Sequence, residues 1–255
     1  MDKKSVDGKQ ETANIIVGRN PVIEALKSDS EIEKLIILKD AEGSIKKIIG
    51  MAKEKKIPYS LAERAVIDRE CQGNKGHQGV IAVVAEHKYY ELDEIIAAAE
   101  AKGEDPFIII LDGIEDPHNL GAIMRTADAA GAHGIVIPKR RAVGLTSTVA
   151  KASAGAIEYV PVARVPNIGM AIDELKEKGL WIGSVDMDGK KYCEADLKGK
   201  IGLVIGGEGS GISRLVKEKC DFSISIPMMG KVSSLNASNA AAVVMYEVCR
   251  QRQVI

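Results

Sequence analysis

The chain has 255 residues, 45% hydrophobic and 28% charged, a balance that excludes wholesale disorder, a collagen-like repeat and a disulfide-dense scaffold. Its 35 basic residues against 36 acidic ones leave a net charge of -1, so no global field marks a nucleic-acid partner, although a local basic patch would suffice for one. Apolar runs such as 107–111 fall far short of the ~20 residues that cross a bilayer, and residues 1–10 are too polar for a signal-peptide core, so a cytoplasmic protein without a membrane partner is expected.

Residues 1–12 read as a flexible polar tail. An apolar triplet at 15–17 leads into Gly18-Arg19-Asn20-Pro21 and a helical stretch at 22–26. Residues 35–38 read as a buried strand, and 44–55 as a helix with Ile45, Ile48, Ile49 and Ala52 on one side. Strands follow at 57–61 and 80–85, completing a small α/β unit over 13–88. Before the last strand, Asn74-Lys75-Gly76-His77-Gln78-Gly79 reads first as a surface turn and second as a loop suited to a phosphate backbone. An alanine-rich helix at 92–101 and the breakers Gly103 to Pro106 place a linker at 89–105.

Beyond the linker, the second domain is expected over 106–255. Apolar strands at 107–111, 134–137, 180–185, 201–205 and 222–226 are separated mostly by helical patterns at 120–130, 168–178, 213–218 and 240–250. Apolar strands interleaved with helices imply a mostly parallel α/β sheet covered on both faces, whose ligands sit beyond the carboxyl ends of the strands. Cys71, Cys193, Cys220 and Cys249 form no C-x-x-C pair, and the four histidines form no H-E-x-x-H. No metal is therefore expected, and the thiols read as reduced and structural.

Three strand-ending loops are the candidates for chemistry. In the first, Asp112 to Asn119 enters a helix for which Asn119 reads as the N-cap. The buried stripe Leu120, Ile123 and Ala127 puts Arg125 about 200° round the helix from Ile123, off the core side, where it meets ligand or water. The second, Gly206-Gly207-Glu208-Gly209-Ser210-Gly211-Ile212-Ser213, nearly fits the P-loop, but Ile212 stands where the phosphate-binding lysine belongs. Its glycines also lack the G-x-G-x-x-G offsets. It therefore reads equally as a flexible turn or as backbone that approaches a ligand closely, with Glu208 as an acceptor. The third, Pro227 to Asn239, carries Ser234, Asn236 and Ser238 into a small-residue helix, where such groups cap a helix or bind a ligand. No serine lies in G-x-S-x-G, so an α/β-hydrolase is unsupported.

Taken together, Asn119-Leu120-Gly121-Ala122-Ile123-Met124-Arg125-Thr126-Ala127, Ile205-Gly206-Gly207-Glu208-Gly209-Ser210-Gly211-Ile212 and Ile226-Pro227-Met228-Met229-Gly230 with Ser234-Leu235-Asn236-Ala237-Ser238 resemble the three motifs of the SpoU (TrmH) family of RNA ribose 2'-O-methyltransferases. Residues 17–26 and His77-Gln78-Gly79-Val80 resemble that family's N-terminal substrate-binding domain, which is similar to ribosomal protein L30e. The resemblance implies a SPOUT-type sheet with a C-terminal trefoil knot, a homodimer, and S-adenosylmethionine held at Gly206, Ile226 and Leu235, with Ser184 and Val185 as weaker candidates. It implies functional roles for Arg125, Glu208, Ser234 and Asn236, with Asn119 orienting the arginine. Asn239 departs from the family pattern, where a small apolar residue is usual.

The substrate implied is a guanosine ribose in 23S rRNA. The alternatives are the same chemistry on tRNA, and a ribosome-associated RNA-binding protein without catalysis. Arg19, Lys75, Lys139, Arg140 and Arg141 are candidate phosphate contacts, with solvated surface charge as the equal reading. An aromatic content of 4% argues against extensive base stacking. The family role of Arg125 is proton acceptor; because a guanidinium is already protonated, phosphate anchoring and alkoxide stabilisation stand at least level with it.

Overall fold

The computed structural model describes residues 15–27, 32–71, 75–84 and 87–253, and the expected tail over 1–12 lies outside the described residues. The first domain is a four-stranded sheet of order β1-β4-β2-β3, built from β1 (Ile15–Val17), β2 (Ile32–Leu38), β3 (Tyr59–Ala62) and β4 (Val80–Val84). Only β2 and β3 are parallel; β4 runs antiparallel to both β1 and β2. Alternation sends Leu35 and Ile37 to one face, where they meet Val22 and Leu26 of α1 (Arg19–Lys27) and Ile45 and Ile48 of α2 (Ile45–Glu54). Ile36 goes to the other face, against Ile67 of α3 (Arg64–Glu70), a helix absent from the sequence expectations.

In the loop before β4, the His77 ring is buried. Its Nδ1 accepts the Gly79 N–H at 3.0 Å and its Nε2 lies 3.0 Å from Asp68 Oδ1. The imidazole therefore holds the turn together.

The second sheet is fully parallel, in the order β10-β8-β9-β5-β6-β7. Its strands are β5 (Phe107–Asp112), β6 (Gly134–Pro138), β7 (Val162–Val165), β8 (Trp181–Lys191), β9 (Ile201–Gly206) and β10 (Phe222–Ser225). One face, with Phe107, Ile109 and Leu111, packs on α5 (Pro117–Ala129) and α9 (Ala237–Gln251) through Leu120, Ile123, Val244 and Met245. The other, with Ile108 and Ile110, packs on α4 (Leu92–Ala101) and α7 (Ile168–Glu177). Fully burying each such side chain stabilises the fold by about 1.5–3 kcal/mol, and the two apolar faces make β5 the central plank.

Several expectations change. Leu92, Ile95 and Ile96 are buried in one cluster with Ile108, Val136 and Leu175, so most of the segment 89–105 is a helix layer of the second domain and not a free linker. The breakers at 103–106 mark a tight connection between α4 and β5. Strand β7 and helix α6 (Ser147–Ala152) were not expected: each is too short to show a period. The expected helix at 213–218 is the single turn α8 (Arg214–Lys217). Strand β8 runs six residues past Val185 because its register with β10 jumps between Ser223 and Ile224, which aligns Ile224 with Lys190. The intervening residues leave the ladder and re-aim their side chains, as β-bulges do. Among the described residues no helix is long and apolar enough to cross a membrane, and no group of three or more His, Cys, Asp or Glu side chains could hold a metal ion.

Candidate active site

All three loops leave the carboxyl ends of strands of the parallel sheet, the first two from the adjacent β5 and β9 and the third from β10 at the sheet edge, and backbone contacts staple the first two together. The Asp112 carbonyl accepts the Gly207 N–H at 2.9 Å, and the Asp112 carboxylate accepts the Ser213 N–H at 2.8 Å. A Cβ on Gly207 would lie 2.1 Å from the Gly113 carbonyl oxygen, so only glycine admits this approach.

The N-cap of α5 is Asp116, which accepts the His118 N–H at 2.9 Å, with Pro117 in the first turn. The expectation of Asn119 as cap is thereby corrected. Proline pre-sets the helical φ one residue after an aspartate able to cap, which moves the helix start three residues upstream and leaves the Asn119 side chain for other bonds. That side chain is buried. Its Nδ2 donates to Glu208 Oε1 at 3.1 Å, and its Oδ1 accepts from Asn236 Nδ2 at 2.9 Å. Asn236 Nδ2 also donates to Glu208 Oε1 at 2.6 Å.

The orientation of these amides follows from the helix behind them. Asn236 caps α9, its Oδ1 accepting the Ser238 and Asn239 N–H groups at 2.9 and 3.4 Å and the Ser238 hydroxyl at 2.6 Å. With Oδ1 committed to the cap, Nδ2 must face Asn119 and Glu208, and Asn119 in turn must present its Nδ2 to the carboxylate. One residue from each loop thus meets in a single bonded cluster.

Beside the cluster lies a cavity of about 590 Å³. Val185, Ile205, Ile226, Met228, Leu235 and Ala240 form its apolar wall, and the Gly206–Gly207 backbone, Ser233 and Ser234 supply polar groups. Asp186 and Glu208 are its two carboxylates, and no Lys, Arg or His lines it. That lining suits S-adenosylmethionine: the apolar slot accepts a purine, and the carboxylates favour the sulfonium and the α-ammonium. A nucleoside triphosphate would find no cation here.

Gly206, Val185, Ile226, Leu235, Glu208, Ser234 and Asn236 all line the cavity. Ser184 does not: it is buried, with its hydroxyl 3.4 Å from the Phe222 carbonyl, because alternation along β8 turns Val185 to the cavity and Ser184 away from it. Asp186, Met187 and Met228 join the site without having been singled out from sequence. The one signal for Asp186 was its place directly after Val185 at an expected strand end. Nearby, burial, with the Asp221 charge second, pushes the Cys220 thiol up to about 11, so it stays protonated and is no nucleophile at neutral pH.

Arg125 is exposed on α5, six residues and about 9 Å along the helix axis from Asn119, and bonds to no other described residue. Arg140 and Arg141 are exposed and line a second cavity of about 560 Å³ on the far side of the Gly206–Gly211 loop. Arg141 has φ 56°, uncommon outside glycine. Lys139 is half-buried just past β6, its N–H donating to the Val165 carbonyl at 2.8 Å. Arg19 lies in the first domain, its Nε donating to the Gln78 carbonyl at 2.9 Å, so it braces the His77 turn. The Lys75 side chain lies outside the described residues.

Known proteins fit this geometry. Residues 106–246 match the SpoU rRNA Methylase family and residues 15–90 the RNA 2'-O ribose methyltransferase substrate-binding family. A Bacillus subtilis (strain 168) relative, YacO of the TrmH family of tRNA/rRNA methyltransferases, is 53% identical over 94% of this chain and 96% of its own. The SpoU methyltransferase AviRb of Streptomyces viridochromogenes, solved with the cofactor AdoMet, superposes with a TM-score of 0.60 at 25% identity, covering 96% of this chain and 92% of that one. A TrmH/SpoU tRNA modifying enzyme of A. aeolicus has a TM-score of 0.54 at 29% identity, over 59% of this chain and 77% of its own. With a family model that spans more than half of its length, and with that model's three loops closed around a carboxylate-bearing cavity, the chain belongs to the SpoU (TrmH) family of S-adenosylmethionine-dependent RNA methyltransferases.

Proposed function

We propose that the protein methylates the ribose 2'-hydroxyl of a guanosine in 23S rRNA and works as a cytoplasmic homodimer. The observation that carries the reading is the Asn119–Glu208–Asn236 cluster, which fixes one wall of the cavity while Arg125 stays uncommitted on the adjoining helix. The ribose 2'-oxygen as target is supported by the family of the first domain, and rRNA by the family of the second. The dimer is supported by exposed apolar groups near the site, Met229 at 97%, Val232 at 70% and Tyr246 at 44%, which a second copy would cover. Threading of the last segment into a knot belongs to the same reading, supported by the match of residues 106–246 to the SpoU family.

S-adenosylmethionine supplies an electrophilic methyl group on a sulfonium. The protein's own task is to align a hydroxyl with that methyl and remove the hydroxyl proton. Arg125 is a poor proton acceptor and a good anchor: it holds an RNA phosphate and stabilises the developing alkoxide. Proton acceptance falls to the Glu208 carboxylate. One of its oxygens is held by the two asparagines and the other has no protein partner among the described residues. Ser234 positions the ribose from the cavity wall.

Radiolabelled methyl transfer to unmodified 23S rRNA and to tRNA, with mapping of the labelled nucleotide, tests the proposal. Label on a guanosine 2'-oxygen of 23S rRNA is expected. Label in tRNA alone would move the substrate to the second reading, which the likeness to the A. aeolicus tRNA modifying enzyme supports and which the tRNA/rRNA family name of the Bacillus relative also admits. Binding of 23S rRNA with no transfer to either RNA would favour the ribosome-associated protein without catalysis and overturn the proposal.

A further inference from the structure

The two domains meet in a buried polar contact away from the S-adenosylmethionine cavity, and its origin is a defect in β2. The pairing of β2 with β4 shifts register between Ile32 and Lys34, leaving Glu33 without a partner across the ladder. A bulged residue is re-aimed out of its sheet. Glu33 is 7% exposed, and its Oε1 accepts the Tyr89 hydroxyl at 2.7 Å. The same hydroxyl accepts the Leu145 N–H at 2.9 Å. From β7, Arg164 donates to the Glu33 carbonyl at 3.2 Å and lies 5.3 Å over the Tyr89 ring. Burial, with the Glu33 charge second, pushes the Tyr89 phenol up, so it remains a donor to the carboxylate.

The fit is tight. A Cβ on Gly144 would lie 2.0 Å from Glu33 Oε1, so the carboxylate rests against a site that only glycine leaves open. Burying a carboxylate is costly unless it is bonded, and no bond within the first domain's own core calls for one here. What the contact does touch is the segment 139–145, which carries Lys139, Arg140 and Arg141. The Val143 N–H of that segment donates to the Ile114 carbonyl at 3.0 Å, in the loop that leads to Asn119.

We propose that Glu33 is a positioning residue for RNA: it latches the substrate-binding domain onto the Tyr89–Gly144–Leu145 contact, so that this domain and the Arg140–Arg141 loop engage one folded RNA at a fixed separation. The inference rests on the RNA-methyltransferase reading above and goes beyond it. Two tethered binding surfaces held in register act as one bivalent site, whereas a loose tether lowers the effective concentration of the second surface. The cost of opening the latch should fall on RNA engagement and leave the methyl-donor cavity untouched.

The test compares Glu33→Ala, Gly144→Ala and the double variant in the full chain. Steady-state methylation of 23S rRNA transcript, S-adenosylmethionine titration and small-angle scattering are the readouts. Either single change is expected to raise KM for RNA about tenfold, keep kcat within about twofold, leave donor affinity unchanged and broaden the interdomain distance distribution. The double variant should be no worse than either single one, because the added methyl then meets no carboxylate. Unchanged KM in both single variants, additive losses in the double, or a fall in kcat with KM intact would overturn the latch. Should wild-type protein transfer no methyl to the transcript, the rRNA assignment falls instead. The latch is then judged on scattering, where three variants indistinguishable from wild type would overturn it.

Discussion

Asn119 and Arg125 stand six residues apart on one helix and have opposite fates. Asn119 is buried and bonded to both other loops, whereas Arg125 is exposed and bonded to nothing described. The contrast extends around the rim. On one side Asn119, Glu208 and Asn236 are tied to each other, and on the other Arg140 and Arg141 stand exposed. Groups tied to one another set the shape of the donor cavity and resist reorganisation, while uncommitted cations are available to a polyanion. On the function proposed above, the two regions divide the reaction between them, one preorganised and one adaptable.

Arg125→Ala is the harshest probe of that division. Methyl transfer should fall about 10³-fold with S-adenosylmethionine affinity within twofold by calorimetry, since the arginine acts only once RNA is present. Parallel loss of donor binding would place Arg125 in the bonded region and erase the contrast. Arg125→Lys sharpens it: substantial retained activity assigns the role to charge alone, and a loss as large as that of alanine assigns it to the guanidinium fork.

Glu208→Gln comes next, with a loss of about 10²-fold in kcat if the unbonded oxygen takes the hydroxyl proton. The amide keeps the size of the side chain, so thermal stability should change little, and donor affinity should fall less than kcat does, because Asp186 remains in the cavity to meet the cation; full activity in the glutamine variant would return proton acceptance to Arg125. Asn236→Ala should cost about 1 kcal/mol in denaturant unfolding through the lost cap of α9, and lower activity less than Glu208→Gln does. An unaltered unfolding midpoint would show the cap to be dispensable. The smallest effect belongs to the adaptable side: Arg140→Ala and Arg141→Ala should each weaken RNA binding a few-fold and reduce the slope of log K against log salt by about one, with kcat intact. A salt slope equal to wild type would mark these arginines as solvated surface.

Much of the fold was legible because its strands are short apolar runs with two buried faces, such as 107–111 and 201–205, and its helices carry clear stripes. What escaped had a physical reason in each case. The tail of β8 is polar, Asp186 to Lys191, and becomes strand only because β10 pairs with it across a register jump. Helix α4 was visible as a helix but was placed in a linker, since an apolar stripe does not say which sheet it covers. At the site, motifs single out Glu208, Ser234 and Leu235, all of which line the cavity, and Asn119, whose additional reading as a helix cap fails because Asp116-Pro117 offers an equally good helix start three residues earlier.

The sequence by itself determined the longer apolar strands and striped helices, the three loops and the identity of the groups in them, because periodicity and glycines are local properties of the chain; short elements such as α3, α6 and β7 carry too few residues to show a period. Only the tertiary structure decided which of those groups bond to one another: Asn119 to Asn236 across 117 positions, Glu208 to both, and Glu33 to Tyr89 across a domain boundary. Such pairings depend on sheet order and strand register, which bring distant residues into hydrogen-bond reach and which no local pattern encodes.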